Sequence, residues 1–208
     1  MMPDFLKSRG FILASLVLFT LSVYAYFYLD RALARFFHAM HDNPLEDAIN
    51  ALSVLGESQW YIVPALLLWL WFRRRGEVGH AKAALYVLLA NIVAGVAVWV
   101  LKIPFGRLRP KMLFEHHQYG FEGLGLRYPY VSFPSGHSIT IFATATALAL
   151  LFPRYRVPFF VVAVLVAFSR VTRGDHYFSD VLVGSWLGVL VSLWLYHILY
   201  RREDATRS

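Results

Sequence analysis

The chain has 208 residues, enough for one domain of ordinary size. Hydrophobic residues make up 58% of it and charged residues 16%, with a mean hydropathy of +0.52, which excludes an ordinary soluble domain and indicates a bilayer protein. The sequence contains no cysteine, so disulfides, thiolate metal ligands and a cysteine nucleophile are excluded. A formal net charge of +7 would suit nucleic acid, but the positions of the charges favour another explanation.

Six apolar segments predict an all-α, integral membrane bundle of six transmembrane helices in a single domain, residues 1–208. Three segments are long enough to cross the hydrocarbon core: residues 11–29, 83–101 and 181–200. Residues 58–72, 139–152 and 157–169 are shorter and need part of their polar flanks. The first segment could instead be a cleaved signal peptide, but its apolar stretch exceeds the usual 7–15 residues, which favours a retained helix.

The lysines and arginines predict the orientation of this bundle. Eleven of them lie on the side of both termini, in short segments close to the spans. The other nine lie in longer loops and are offset by nine acidic residues. The positive-inside rule therefore places both termini in the cytoplasm and explains the net charge without nucleic acid. The external residues 30–57 should form a short amphipathic helix or a cap on the surface, with Phe36, Phe37 and Met40 facing lipid.

Three groups of polar residues, distant in sequence, fall at the external ends of the predicted spans. They are Lys102 and Arg109, then Ser135, Gly136 and His137, then Arg170, His176 and Asp180. The alternation of the spans brings all three groups to one face of the membrane. Ionisable residues at this depth are costly unless they are functional, so we expect one polar site here.

The residue types in these groups suit phosphoryl transfer. The three cations offer positive charge and N–H donors to phosphate oxygens. Ser135 and Gly136 precede a helix, whose free N–H groups can bind an anion. His176 and Asp180 are four residues apart, so on a helix they share one face. The carboxylate can then reach the ring and leave the other nitrogen free to attack. His137 can then act as general acid and base.

Each feature alone has an ordinary structural explanation. A cation at the end of a span, such as Lys102, is usually an interfacial anchor. Pro-Ser-Gly is a common turn and helix cap. A histidine and a carboxylate four residues apart can be a weak surface contact. The conjunction of the three groups is what favours a catalytic site.

This conjunction resembles the type-2 phosphatidic acid phosphatase superfamily, and its membrane lipid phosphatase branch in particular. The three signature motifs of that family span residues 102–180 here. They read Lys102-x6-Arg109-Pro110, Pro134-Ser135-Gly136-His137, and Ser169-Arg170-x5-His176-x3-Asp180. No signature position departs from the family pattern.

The resemblance implies a role for each residue. His176 would form a phosphohistidine, Asp180 would orient it, and His137 would protonate the leaving oxygen and then activate water. The phosphoryl group would be held by Lys102, Arg109, Ser135, Gly136 and Arg170. The family needs no metal and no cofactor, and the pair His116 and His117 lacks the helical spacing of a zinc site.

Several alternatives stay open at this stage. Within the family, the phosphate could pass to a second lipid rather than to water. From another class, the chain could be a non-catalytic lipid transporter or scramblase. The candidate substrates are undecaprenyl pyrophosphate, phosphatidylglycerol phosphate, phosphatidic acid and a lipid A phosphate; family frequency favours the first two. Residues 111–131 could cover the site, the oligomeric state is not determined, and Gly184-x3-Gly188 could allow close helix packing.

Overall fold

The computed structural model describes residues 4–40, 49 and 51–204. Regular structure within these residues is helical, apart from one isolated bridge between Arg107 and Phe121. The main helices are α1 (Arg9–His38), α2 (Gln59–Arg74), α3 (Val78–Phe105), α4 (Pro110–Glu115), α5 (Gly136–Leu151), α6 (Arg156–Thr172) and α7 (Phe178–Asp204). Short helical turns lie at Asp4–Lys7, Val54–Gly56 and Pro153–Tyr155. The prediction of an all-helical protein is confirmed for this part of the chain.

In the part of the chain that the structure describes, four helical segments are long and apolar enough to cross a membrane: Arg9–His38, Val78–Phe105, Pro153–Thr172 and Phe178–Tyr200. Helices α2 and α5 have 16 residues each. At 1.5 Å per residue such a helix covers about 24 Å, less than the roughly 30 Å of hydrocarbon. A multi-pass membrane protein is therefore established, whereas the count of six spans, which needs α2 and α5, stays a prediction.

Helix α5 lies at the centre of the bundle, in contact with α3, α6 and α7. Its buried positions are mostly small, including Ala143, Ala145 and Ala147. The amide oxygen of Asn91 on α3 accepts a hydrogen bond from the hydroxyl of Thr144 at 3.0 Å. Small residues and interhelical hydrogen bonds hold helices together where no water drives their association. This packing fixes the N-terminus of α5 relative to its neighbours.

The Gly184-x3-Gly188 pattern on α7 packs within the chain, against α5. A Cβ on Gly184 would lie 2.6 Å from the carbonyl oxygen of Ser135, and one on Gly188 would lie 2.4 Å from that of Ile139. Any larger residue would push the two helices apart. The pattern therefore serves contact between α7 and α5.

The predicted external segment begins with an amphipathic helix, Asp30–His38, which continues directly from the first span. Helix α1 runs on from the first span through a π-helical segment, Ala25–Leu29, to His38. Phe36 and Met40 are exposed, as expected, but Phe37 is partly buried and packs edge-on against Phe168 at 5.8 Å. Asp30, at the start of this continuation, is buried and paired with Arg107. Residues 41–48 and 50 of the predicted segment lie outside the described residues.

Candidate active site

Backbone and side-chain hydrogen bonds join the three predicted motifs into one site. The N–H of Ser135 donates to the carbonyl of Asp180 at 3.1 Å, and the N–H of His176 donates to that of Arg170 at 3.1 Å. Arg109 donates from a terminal nitrogen to the carbonyl of Asp175 at 3.1 Å. The first motif therefore contacts the third, and the third contacts the second.

His176 lies in the turn before α7, and Asp180 lies in the first turn of that helix. The expectation that both sit on one helix face is therefore wrong in detail, although the two side chains do meet. Nδ1 of His176 is 3.7 Å from Oδ2 of Asp180, and both residues are buried. The hydroxyl of Ser132 donates to the same Oδ2 at 2.6 Å and lies 3.4 Å from Nδ1. With Nδ1 facing the carboxylate, Nε2 is left for chemistry.

Burial lowers the pKa of His176 well below its ordinary value of 6.5. The interaction of the ring N–H with the Asp180 carboxylate opposes this shift, whereas the charges of Arg109 and Lys102 add to it. Desolvation disfavours the imidazolium, and two nearby cations disfavour it further. The ring is therefore neutral at physiological pH, which is the form that can act as a nucleophile.

Three cations surround the pair. Lys102, at the end of α3, and Arg170, at the end of α6, are 6% and 7% exposed. Lys102 donates to the carbonyl of Val131, and Arg170 pairs with Asp175 at 2.9 Å. The Nε atoms of Arg109 and Arg170 are buried without a hydrogen-bond partner among the described residues. Buried donors without partners are costly unless a ligand uses them, so both atoms are free to bind phosphate oxygens.

The second motif forms the N-terminus of α5. Ser135 is the N-cap, and its hydroxyl accepts from the N–H of Ser138 at 3.4 Å. The first N–H groups of a helix have no partner inside it, and the helix dipole makes this end attractive to anions. A Cβ on Gly136 would meet no described atom within 4 Å, so there is open space beside the backbone. A phosphate could approach the chain there.

His137 follows on the same helix turn and packs against the turn Val54–Gly56. A Cβ on Gly56 would lie 2.6 Å from Cδ2 of the His137 ring. Ser53, just before that turn, accepts a hydrogen bond from Arg170. The segment around Gly56 therefore positions one predicted acid–base residue and one predicted phosphate ligand.

Several residues that contact the predicted site residues could not be identified from the sequence. In the sequence Arg107 is one of nine loop cations and Asp30 follows the first apolar segment, yet both are almost fully buried and contact each other. Ser132, Ser53 and Asp175 also contact predicted site residues. An aspartate inside an apolar helix was the one available signal for Asp30, because such a residue needs a partner.

The histidines of the external loop lie apart from this site. His116 and His117 are exposed, and His117 lines a cavity with Arg31 and Arg35. Among the described residues, no group of three or more His, Cys, Asp or Glu side chains is arranged to hold a metal ion. Tyr128, from the same loop, stacks on the guanidinium of Arg109 at 4.7 Å.

A helical membrane protein with three cations beside a buried histidine and carboxylate is the arrangement expected of a membrane phosphatase. Residues 83–204 match the family model described as the PAP2 superfamily. The chain belongs to that superfamily and to its membrane lipid phosphatase branch, as the motifs predicted.

Three relatives illustrate the similarity. The chain is 37% identical to a lipid A 1-phosphatase of Rhizobium etli, covering 73% of this chain and 69% of that protein. A lipid A 1-phosphatase of Rhizobium johnstonii is 35% identical, with 72% and 66% covered. An undecaprenyl-diphosphatase of Sulfolobus acidocaldarius is 33% identical, with 65% and 61% covered. The chain thus spans about two thirds of the length of the Rhizobium proteins.

Two solved structures have the same fold. Aquifex aeolicus LpxE superposes with a TM-score of 0.62 at 25% identity, covering 80% of this chain and 94% of that one. The PAP2-type phosphatidylglycerolphosphate phosphatase of Bacillus subtilis gives a TM-score of 0.63 at 22% identity, with 88% and 94% covered. The second match concerns the fold alone.

Proposed function

We propose that the chain is a phosphohydrolase that removes phosphate from a lipid through a phosphohistidine on His176. The observation that carries the proposal is the geometry at this residue. Its ring is buried, its Nδ1 faces Asp180, and Lys102 and Arg109 are close enough to disfavour its protonated form. This is how a neutral histidine is held for attack by Nε2.

In the first step, Nε2 of His176 attacks the phosphorus atom and the bond from phosphorus to the lipid oxygen breaks. His137 gives its proton to that oxygen. In the second step, His137 takes a proton from water, the water oxygen bonds to phosphorus, and the P–N bond breaks. Phosphate leaves and Nε2 regains its lone pair. Throughout, the cations and the N-terminus of α5 stabilise the negative charge on the phosphoryl oxygens.

Among the candidate lipids, we place a lipid A 1-phosphate first. Family frequency alone favoured undecaprenyl pyrophosphate and phosphatidylglycerol phosphate. The two Rhizobium relatives are named lipid A 1-phosphatases, and the Aquifex LpxE structure shares the fold. The relative from Sulfolobus, named an undecaprenyl-diphosphatase, keeps that lipid as the second candidate.

We place the site on the external face of a bacterial inner membrane, with both termini in the cytoplasm. The cations of the short segments support this orientation, in particular Arg73, Arg74 and Arg75 at the end of α2. Lys102 and Arg170 end α3 and α6 at the opposite side of the bundle, beside the start of α5.

Phosphate release from purified protein tests the function. The panel contains lipid A, undecaprenyl pyrophosphate, phosphatidylglycerol phosphate and phosphatidic acid, each with and without EDTA. His176→Ala should abolish release, whereas His197→Ala, a matched change further along α7, should not. Activity that survives His176→Ala, or that EDTA abolishes, would contradict the mechanism.

Two further measurements separate the alternatives. A phosphotransferase would move labelled phosphate to an added acceptor lipid and release little to water. A transporter or scramblase would move fluorescent lipid across vesicles equally well in His176→Ala. Protein-bound label that is stable in base and labile in acid identifies the phosphohistidine.

A further inference from the structure

Arg107 joins two carboxylates in the interior of the protein. Its guanidinium donates from one terminal nitrogen to Oδ1 of Asp180 at 2.5 Å and to the hydroxyl of Ser179 at 2.7 Å. The other terminal nitrogen donates to Oδ2 of Asp30 at 2.6 Å. Arg107 is 1% exposed, and the two carboxylates are as deeply buried.

The surroundings of this guanidinium exclude water. Four aromatic rings lie around it at 4.8 to 5.7 Å from ring centre to Cζ: Tyr26, Tyr119, Phe121 and Tyr177. Burial alone would lower the pKa of Arg107, but Asp180 and Asp30 outweigh it and hold that pKa raised. The guanidinium is therefore always charged, in a place where each ion pair is stronger than in water.

Asp30 connects this group to the start of α7. Its Oδ1 accepts from the N–H of Ser179 at 2.9 Å, and its Oδ2 accepts from the hydroxyl of the same residue. The first N–H groups of a helix need outside acceptors, and a carboxylate suits this end of the dipole. Helix α1 thus caps the helix turn that carries Asp180.

We propose that Arg107 and Asp30 are positioning residues for the Asp180–His176 pair, and this rests on the proposed function. Arg107 engages Oδ1 of Asp180, so the carboxylate presents Oδ2 to His176. The N–H of Tyr177 donates to the same Oδ2 at 3.0 Å and fixes its direction. Asp30 holds the guanidinium in place from the opposite side.

A purely structural role would also explain buried ion pairs, since they tie α1 to α7. The two explanations differ in what they predict for folded protein. A structural link changes the amount of folded protein. A positioning residue changes the turnover of folded protein. It does so only when residue 180 is a carboxylate, because Arg107 acts by holding that carboxylate in place.

The test is a double-mutant cycle of Arg107→Lys and Asp180→Asn, with kcat and KM normalised to folded protein. Lysine keeps the positive charge but lacks the two terminal nitrogens with which arginine contacts Asp180 and Asp30 at once. In the natural background Arg107→Lys should lower kcat on the order of 10- to 100-fold, with KM changed less than about 3-fold. In the Asp180→Asn background the same change should cost less than about 3-fold.

Arg154→Lys, at an exposed arginine, is the matched control and should leave kcat unchanged. If Arg107→Lys does not fold, Asp30→Asn takes its place in the cycle, because the amide keeps an acceptor for Ser179 but no charge for the guanidinium. Its expected loss in kcat is smaller, about 3- to 10-fold.

Equal losses in both backgrounds, or no loss in the natural background, would overturn the positioning role alone. Phosphate release that survives His176→Ala would overturn the proposed function, and the positioning role with it. The parent protein and His176→Ala are therefore assayed beside every member of the cycle.

Discussion

Nδ1 of His176 lies 3.7 Å from Oδ2 of Asp180, and the hydroxyl of Ser132 contacts both groups. The carboxylate does not bond the ring tightly in this structure, and Ser132 occupies part of the same acceptor. Contacts of this kind are often loose without substrate and tighten as the reaction proceeds. Under the proposed function, Asp180 would orient the ring and stabilise positive charge on it.

Asp180→Asn should lower kcat by about 10²- to 10⁴-fold. The asparagine NH2 group can donate to Nδ1 and favour the wrong ring tautomer, and the amide carries no negative charge. KM should change little, since Asp180 does not face the phosphate. Steady-state phosphate release measures both constants. Glu115→Gln, at an exposed carboxylate on α4, is the control. A loss confined to KM would contradict the orienting role.

The enzyme should stay active at lower pH than it would if the nucleophilic histidine had an ordinary pKa. The neutral form of His176 attacks, and its pKa lies well below 6.5, so the neutral form persists as the pH falls through 6.5. The acid limb of kcat/KM should therefore have a midpoint below 6.5.

A variant shows whether the acid limb of kcat/KM reports His176 or the ionisation of the substrate phosphate. Arg109→Gln removes one charge that lowers the pKa of His176, so the midpoint should move to higher pH. The substrate titrates identically in both enzymes. An unchanged midpoint would assign the limb to the substrate.

Gly56→Ala should slow catalysis although it replaces no predicted catalytic residue, because it displaces one. The new methyl group would lie 2.6 to 2.9 Å from three carbon atoms of His137 and would force that ring to move. We expect a fall in kcat on the order of 10- to 100-fold and a destabilisation of about 1–3 kcal/mol.

Gly79→Ala is the matched control, because a Cβ there meets no described atom within 4 Å. That change lies in α3 and should be neutral or stabilising by up to about 1 kcal/mol. Thermal unfolding and phosphate release, measured together, report both effects. Full activity in Gly56→Ala would show that catalysis does not depend on the position of the His137 ring beside Gly56.

Gly184→Ala and Gly188→Ala should differ in a defined way. Both would strike the backbone of α5, so both should lower the melting temperature. Gly184 faces the backbone of Ser135 at the predicted phosphate site, so its variant should also lower kcat. Gly188 faces Ile139 and Ala143, one turn deeper, so kcat should change less.

Gly95→Ala on α3 serves as control, since a Cβ there meets no described atom within 4 Å. The comparison uses kcat at a temperature where all variants are folded. Equal kcat in the Gly184 and Gly188 variants would mean that the α7–α5 contact does not reach the phosphate site.

The sequence by itself determined the class of the protein and the residues of its three motifs. Apolar length predicts helices directly, because the bilayer leaves few other ways to satisfy the backbone. The spacing of the motifs and the alternation of the spans placed Lys102, Ser135 and Arg170 at one end of the bundle. The same rules could not decide whether the 16-residue helices α2 and α5 cross the membrane, because their lengths fall short of a span.

Tertiary structure alone decided which charges support those motifs. In the sequence, Arg107 is one cation in a loop and Asp30 is one acid at the end of a span. The sequence around Arg107 gives no signal of its role, because its partners Asp30 and Asp180 lie 77 and 73 positions away along the chain. Folding brings α1, the loop after α3 and the start of α7 together. Asp180 is then buried between Arg107 and His176, an arrangement that depends on the packing of three distant segments.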